Sequence, residues 1–260
     1  MLKYLLISLV FFNTCLGGIG FFNICTPANI GSIQGWWKAN AITNAHNTLL
    51  TNWFDSSGNN RTAVAPGGFE PTFLTNLFGS RAGVKFTSDN TSAPSTLLDF
   101  AGSLANAITT TGDWTIFCVH ISNATGTSNQ QSCIVGNAYV GGTRLLSLTS
   151  ANSFFTASDE GVVDEDQSTT VSSTTGQALC SVSGSWGGKS AFYENKVNRT
   201  TSNQTYGTMK VTDIGGCARP QGNRLSGAVG EVVIMFKQPS VSQILSLYNS
   251  YFRPKFPILP

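Results

Sequence analysis

Charge is scarce in this chain. Only 11% of its 260 residues are Asp, Glu, Lys or Arg, and 15 basic residues nearly balance 13 acidic ones. That share is under half of the roughly 25% usual in soluble domains. A nucleic-acid binder needs a basic stripe to neutralise phosphates, so that partner is not expected. Histidine is rarer still: there are two, His46 and His120. Neither has a serine or cysteine motif around it that would read as a nucleophilic triad. No two cysteines stand at C-x-x-C spacing, so a zinc site is not expected either. No apolar run reaches the roughly 20 residues that a bilayer-spanning helix needs. The Gly216 to Gly222 stretch lacks the Lys-Ser/Thr of a phosphate-cradling loop. No internal repeat is visible, and no charged or proline-rich linker divides the chain.

What replaces charge is hydroxyl and amide. There are 29 Ser, 29 Thr, 21 Asn and 27 Gly, a composition typical of extracellular or particle-bound β proteins. Hydrophobic residues make up 41%, enough for a sizeable core and too many for a disordered chain. The length suits a single large β-sandwich. Five N-x-S/T sequons (Asn60, Asn90, Asn123, Asn198, Asn203) are what chance gives with so many hydroxyl residues, so glycosylation does not follow.

The amino terminus stands apart. Lys3 precedes the apolar run Tyr4–Phe12, and small residues, Gly17 and Gly18, follow it. Residues 1–17 therefore read as a secretory signal peptide or, if retained, as an apolar assembly arm buried against a neighbour. Residues 18–29 connect this segment to a domain spanning 30–256. Of the six cysteines, cleavage would remove Cys15 and leave five, an odd number. Cys118 and Cys133 lie on apolar runs about a hairpin apart. A cross-strand disulfide and two buried free thiols are both compatible with that spacing.

Within the domain, short β-branched and aromatic runs alternate with Gly, Asn and Ser, which marks strands and turns. They are Gly83–Phe86, Trp114–Ile121, Ser132–Val135, Arg144–Leu148, Ala178–Val182, Ala191–Tyr193 and Val229–Phe236. Trp114–Ile121 is apolar on both pleat faces, which places it mid-sheet under cover on both sides. One helix is expected. Ser240 and Gln243 form a capping box, and Val241, Ile244, Leu245, Tyr248, Tyr251 and Phe252 then recur on one face, with Pro254 as the stop. Many strands and one late helix make an all-β fold.

Three ordered segments carry a resemblance. The first is Gly35-Trp36-Trp37 followed by Trp53-Phe54-Asp55-Ser56-Ser57-Gly58-Asn59-Asn60. The second runs from Gly83-Val84-Lys85-Phe86 to Asp113-Trp114-Thr115-Ile116-Phe117. The third is Asp213-Ile214-Gly215-Gly216, then Gly227–Met235 and the capped helix. Together they resemble the concanavalin A-like lectin/glucanase superfamily, in its laminin-G-like modules from bacterial surface and virion proteins. Phe54 beside Asp55, and Phe236 where the family often has tyrosine, depart from the pattern. The resemblance implies an antiparallel jelly-roll β-sandwich with one short C-terminal helix. It leaves function open among lectins, glycosidases and structural modules.

A glucanase of this kind needs two closely spaced carboxylates. Glu231 is the one acid in the last strong strand and has no alternating partner, so no catalytic set is expected. The run Asp159–Asp166 holds five acids in eight residues. Asp159, Asp164 and Asp166 are candidate calcium ligands, although charge runs are more often solvated loops. The candidate ligand-binding residues are the aromatics Trp36, Trp53 and Trp186, on whose faces sugar C–H groups can pack, with Asp55 and Asn59 from the polar turn between strands. The turn and the tryptophans also have plain structural readings, as a hydrogen-bonded loop and as core. The expected function is a non-catalytic carbohydrate-binding or adhesion module on a virion or cell surface, or alternatively a structural particle subunit held by its arm. No cofactor other than calcium is expected. The expected partners are a glycan or neighbouring particle subunits, further copies of the chain included.

Overall fold

The computed structural model describes residues 25–87, 96–102, 106–122, 132–137, 144–148, 153–155, 169–170, 178–186, 189–200, 208–216 and 225–260. In chain order the strands are β1 (Ile33–Lys38), β2 (Thr48–Leu49), β3 (Asn52–Trp53), β4 (Ala63–Val64), β5 (Thr72–Phe78), β6 (Arg81–Phe86) and β7 (Leu98–Asp99). Next come β8 (Ile108–Thr110), β9 (Trp114–Ser122), β10 (Ser132–Gly136), β11 (Arg144–Leu148), β12 (Ser153–Phe155) and β13 (Thr169–Thr170). The last are β14 (Ala178–Trp186), β15 (Lys189–Glu194), β16 (Val197–Asn198), β17 (Met209–Val211), β18 (Asp213–Ile214) and β19 (Gly227–Met235). One antiparallel sheet runs β16-β15-β14-β9-β19-β6-β5-β2, with β1 also paired to β19. The other runs β13-β12-β11-β10-β18-β7-β4-β3, and β8 and β17 form a separate pair. The all-β antiparallel architecture with a short C-terminal helix agrees with the sequence reading.

Two cores explain the apolar runs. Trp37, Ile116, Val232 and Ile234 of the first sheet meet Trp53, Leu98, Ile134 and Ile214 of the second. On the far side of the first sheet, Phe117, Val119, Val233 and Met235 pack under Ile244, Leu247, Tyr248, Phe252 and Phe256 of the C-terminal segment. β9 and β19 are thus covered on both faces, and β19 is buried at all nine positions, which is why both read as nearly unbroken apolar runs.

The helix begins as expected. In α2 (Val241–Leu247), Ser240 Oγ accepts from the Gln243 amide while the Gln243 side chain accepts from the Ser240 amide. It does not stop at Pro254. A π turn (Tyr248–Phe252) carries helical backbone into a last turn (Arg253–Lys255), where Pro254 sits in the opening positions that need no amide donor. A four-residue helical turn, Pro27–Ile30, also precedes β1. Cys118 and Cys133, on strands of different sheets, are not bonded to each other. Cys118 is a buried free thiol, as is Cys180, whereas Cys25 and Cys133 are each in a disulfide.

β19 carries a bulge. Val229 pairs with His120 and Glu231 with Val119, so Gly230 is the extra residue. The strand changes partner there: Gly227–Val229 lie beside β6 and Glu231–Met235 beside β1. The bulge shifts the alternation, so Val229 and Val232 both enter the inter-sheet core and Glu231 turns to the helical side. A Cβ on Gly230 would fall 2.7 Å from the Phe256 ring. Gly230→Ala is therefore expected to destabilise the fold by about 1–3 kcal/mol, read by urea denaturation against wild type. No loss would mean that Phe256 yields freely.

Candidate functional site

The loop after β3 is built by one carboxylate. Asp55 Oδ1 accepts from the Trp36 and Ser57 amides at 2.8 Å each. Its Oδ2 accepts from Ser57 Oγ at 2.6 Å and from the Arg61 amide at 3.2 Å. Asn59 Nδ2 donates to the carbonyls of Ile33 and Gln34 at 2.9 and 3.2 Å. Both residues, expected as ligand contacts, use their side chains to tie the loop to β1. Gly58 and Asn60 supply the positive φ that the turn needs, +90° and +55°.

This tethered loop forms one side of a cleft of about 370 Å³, counting the space open to solvent. Trp53, Ala41 and Ile42 give it apolar surface; Thr43, Asn44, Asn52 and Ser56 give it hydroxyls and amides. Among the described residues Lys38 is the one charged residue lining it, and no described acid does. Trp53 is only 1% exposed, so it serves as core and cleft wall rather than as an open stacking face. Its Nε1–H has no acceptor among the described residues. The open aromatic is Phe54, 70% exposed on the same cleft. Sequence reasoning noted Phe54 only as a departure from a pattern. The available signal was alternation: with Trp53 inward, Asn52 and Phe54 must face out.

Lys38 links the cleft to a second polar group. Its ammonium sits 4.1 Å over the ring of half-buried Trp36. Trp36 Nε1 donates to Glu231 Oε1 at 2.5 Å, and Tyr251 Oη donates to the same oxygen at 2.8 Å. Lys255 Nζ pairs with Glu231 Oε2 at 2.5 Å. Glu231 is fully buried, and these three donors satisfy it. Burial, then the charge of Glu231, raises the Tyr251 phenol well above its ordinary pKa. Burial first, and Lys255 second, lower the pKa of Lys38, with Glu231 opposing. Trp36, expected as a stacking platform, is thus half engaged in this network.

Of the other expected residues, Trp186 ends β14, and its side chain lies outside the described part of the structure. Asp159, Asp164 and Asp166 also lie outside the described residues. Among the described residues no group of three or more His, Cys, Asp and Glu is placed to hold a metal ion, and no helix is long and apolar enough to cross a membrane.

No family model matches the chain, and no curated protein matches it in sequence. Its likenesses are to solved structures. A mutant sialidase of Trypanosoma rangeli with trans-sialidase activity superposes with a TM-score of 0.57 at 14% identity, over 84% of this chain and 33% of that one. An arabinofuranosidase complexed with arabinofuranosyl-α-1,2-xylobiose gives 0.53 at 14% identity, over 78% and 50%. A receptor binding domain gives 0.54 at 13%, over 84% and 51%. The chain thus spans a third to a half of these proteins, and what it shares with them is the fold. That likeness is to β folds and is not specific to laminin-G-like lectins. It corrects the expectation of a non-catalytic adhesion module or particle subunit, because the structural neighbours are mainly glycoside hydrolases and a shared fold with enzymes supplies no ground for a non-catalytic assignment.

Proposed function

We propose that this chain is a saccharide-engaging β-sandwich unit of a glycoside-processing protein, working outside the cytoplasm. One observation carries the reading: Phe54 is 70% exposed on a cleft whose lining also brings together the amides and hydroxyls of Asn44, Asn52, Thr43 and Ser56. An open aromatic face packs against the C–H face of a sugar ring. Amides and hydroxyls around it exchange hydrogen bonds with ring hydroxyls and fix orientation. The tethering of the loop through Asp55 and Asn59 holds that surface in place before a ligand arrives, which lowers the ordering cost of binding. The fold shared with a sialidase and an arabinofuranosidase supports the substrate class. Disulfides at Cys25 and Cys133 support an oxidising compartment.

The test is calorimetric titration of the full chain with xylo-oligosaccharides and sialyllactose, with release of free sugar followed in the same samples. Binding is expected, with a loss of about tenfold or more in Phe54→Ala. Sugar release would assign the chemistry to this chain as well. Absence of binding at millimolar ligand, or an unchanged affinity in Phe54→Ala, would sink the reading.

A further inference from the structure

We propose that the cleft selects an acidic saccharide, and that Lys38 is the residue that receives its anionic group. The inference rests on the reading of the cleft as a saccharide site and names the class of sugar within it. It starts from charge complementarity. Among the described residues Lys38 is the single charged one lining the cleft, and no described acid lines it with Lys38.

Two carboxylates described beside β1, Glu231 across the ladder and Asp55 on the Trp36 amide, are already engaged. Glu231 is held by Lys255 Nζ, Tyr251 Oη and Trp36 Nε1. Asp55 is held by three amides and the Ser57 hydroxyl. Two lysines therefore share the neighbourhood of one buried acid, and the shortest contact goes to Lys255. What Lys38 has instead is the face of Trp36 at 4.1 Å, which orients an ammonium without neutralising it. A half-buried ammonium under these conditions has lost part of its hydration, and the repulsion of Lys255 exceeds the attraction of Glu231. A ligand carboxylate or sulfate reaching it from the cleft restores the missing counter-charge in a site drier than the surface, where such a contact counts for more. Phe54 then holds the ring of the sugar, and Lys38 reads its charge.

Carboxylated and sulfated sugars share this chemistry, so the test carries both. The intact chain is titrated with trigalacturonate and with its fully methyl-esterified form, which has the same skeleton without charge. It is titrated in parallel with N-acetylglucosamine 6-sulfate and with N-acetylglucosamine. The charged member of at least one pair is expected to bind about tenfold tighter, and to lose that margin in 0.5 M NaCl and in Lys38→Met. Lys38→Arg is expected to keep it. Phe54→Ala is expected to weaken both members of the pair, and a matching melting temperature confirms that each variant is folded. Equal affinity within both pairs, with Phe54→Ala still weakening each, overturns the role of Lys38 and leaves the saccharide reading intact. A charge preference indifferent to Phe54→Ala means plain surface attraction and overturns both; no binding by any of the four sugars overturns the role of Lys38, while the xylo-oligosaccharide and sialyllactose titrations decide the saccharide reading.

Discussion

Lys255→Met is expected to lower the stability of the fold by about 3–5 kcal/mol, because it strands a charge that water cannot reach. Glu231 is fully buried. Without the ammonium 2.5 Å from Oε2 its carboxylate keeps only the Trp36 and Tyr251 donors, both on Oε1. Removing both charges at once, in Glu231→Leu/Lys255→Met, removes the stranded ion along with the pair. The two orphaned donors then cost about 1 kcal/mol each, so the double variant is expected to be more stable than Lys255→Met alone. A double-mutant cycle by urea denaturation measures this coupling directly. Strict additivity would show that the pair is solvated in solution and that the helical layer over β19 opens more readily than its packing implies. In thermal unfolding, the single variant should melt roughly 10 °C lower.

Acid should weaken the fold well above the pH at which carboxylates protonate. His120 is fully buried, with Nε2 2.8 Å from Ser181 Oγ, and burial lowers its pKa from 6.5 to about 3. Its folded-state pKa lies below its unfolded value. The neutral ring therefore contributes stability that is fully present above pH 6.5 and is lost as pH falls toward 3, because only the unfolded chain takes up the proton. At pH 5 the expected loss relative to pH 8 is about 2 kcal/mol, from roughly one and a half units at 1.36 kcal/mol each. His120→Gln, which leaves nothing to titrate at this position, should flatten the profile between pH 7.5 and 5 even if it is less stable throughout. A wild-type profile already flat over that interval would mean that the ring reaches solvent when charged.

The elements most legible in the sequence were those whose environment is the same along their length. The run Trp114–Ile121 is apolar on both faces because it is covered on both, by Ile134 and Ile214 on one side and by Phe252 on the other. The capping box at Ser240 and Gln243 is a contact within four residues, so it needs no tertiary information. What the sequence could not display was anything decided between distant segments. Glu231 stood alone among apolar residues, and Trp36, Tyr251 and Lys255 reach it from 195, 20 and 24 positions away. The roles of Asp55 and Asn59 were half legible, since a polar turn predicts side chains bonded to backbone. That their bonds run to β1, and so hold Phe54 open, depends on the pairing of loop and strand. Trp53 was named as a candidate stacking face, and Phe54 was noted only as a departure from a pattern. The pleat decides otherwise, turning the larger ring inward and leaving the smaller one on the surface.

The extra residue in β19 has a consequence for aligning this chain with others of its fold. Gly230 is counted in the sequence and skipped in the ladder, so the strand is written in two phases joined at one position. A relative that lacks this residue altogether keeps Val229 and Val232 inside and the acid under the helix, because pure alternation then produces the same faces. A relative that fills the position with a side chain must instead move Phe256 or give up the bulge, and strict counting from Val229 then drives the acid into the inter-sheet core. At position 230 the conservative change is therefore a gap. An ungapped alignment through this strand would assign the counterpart of Glu231 to the wrong side of the sheet.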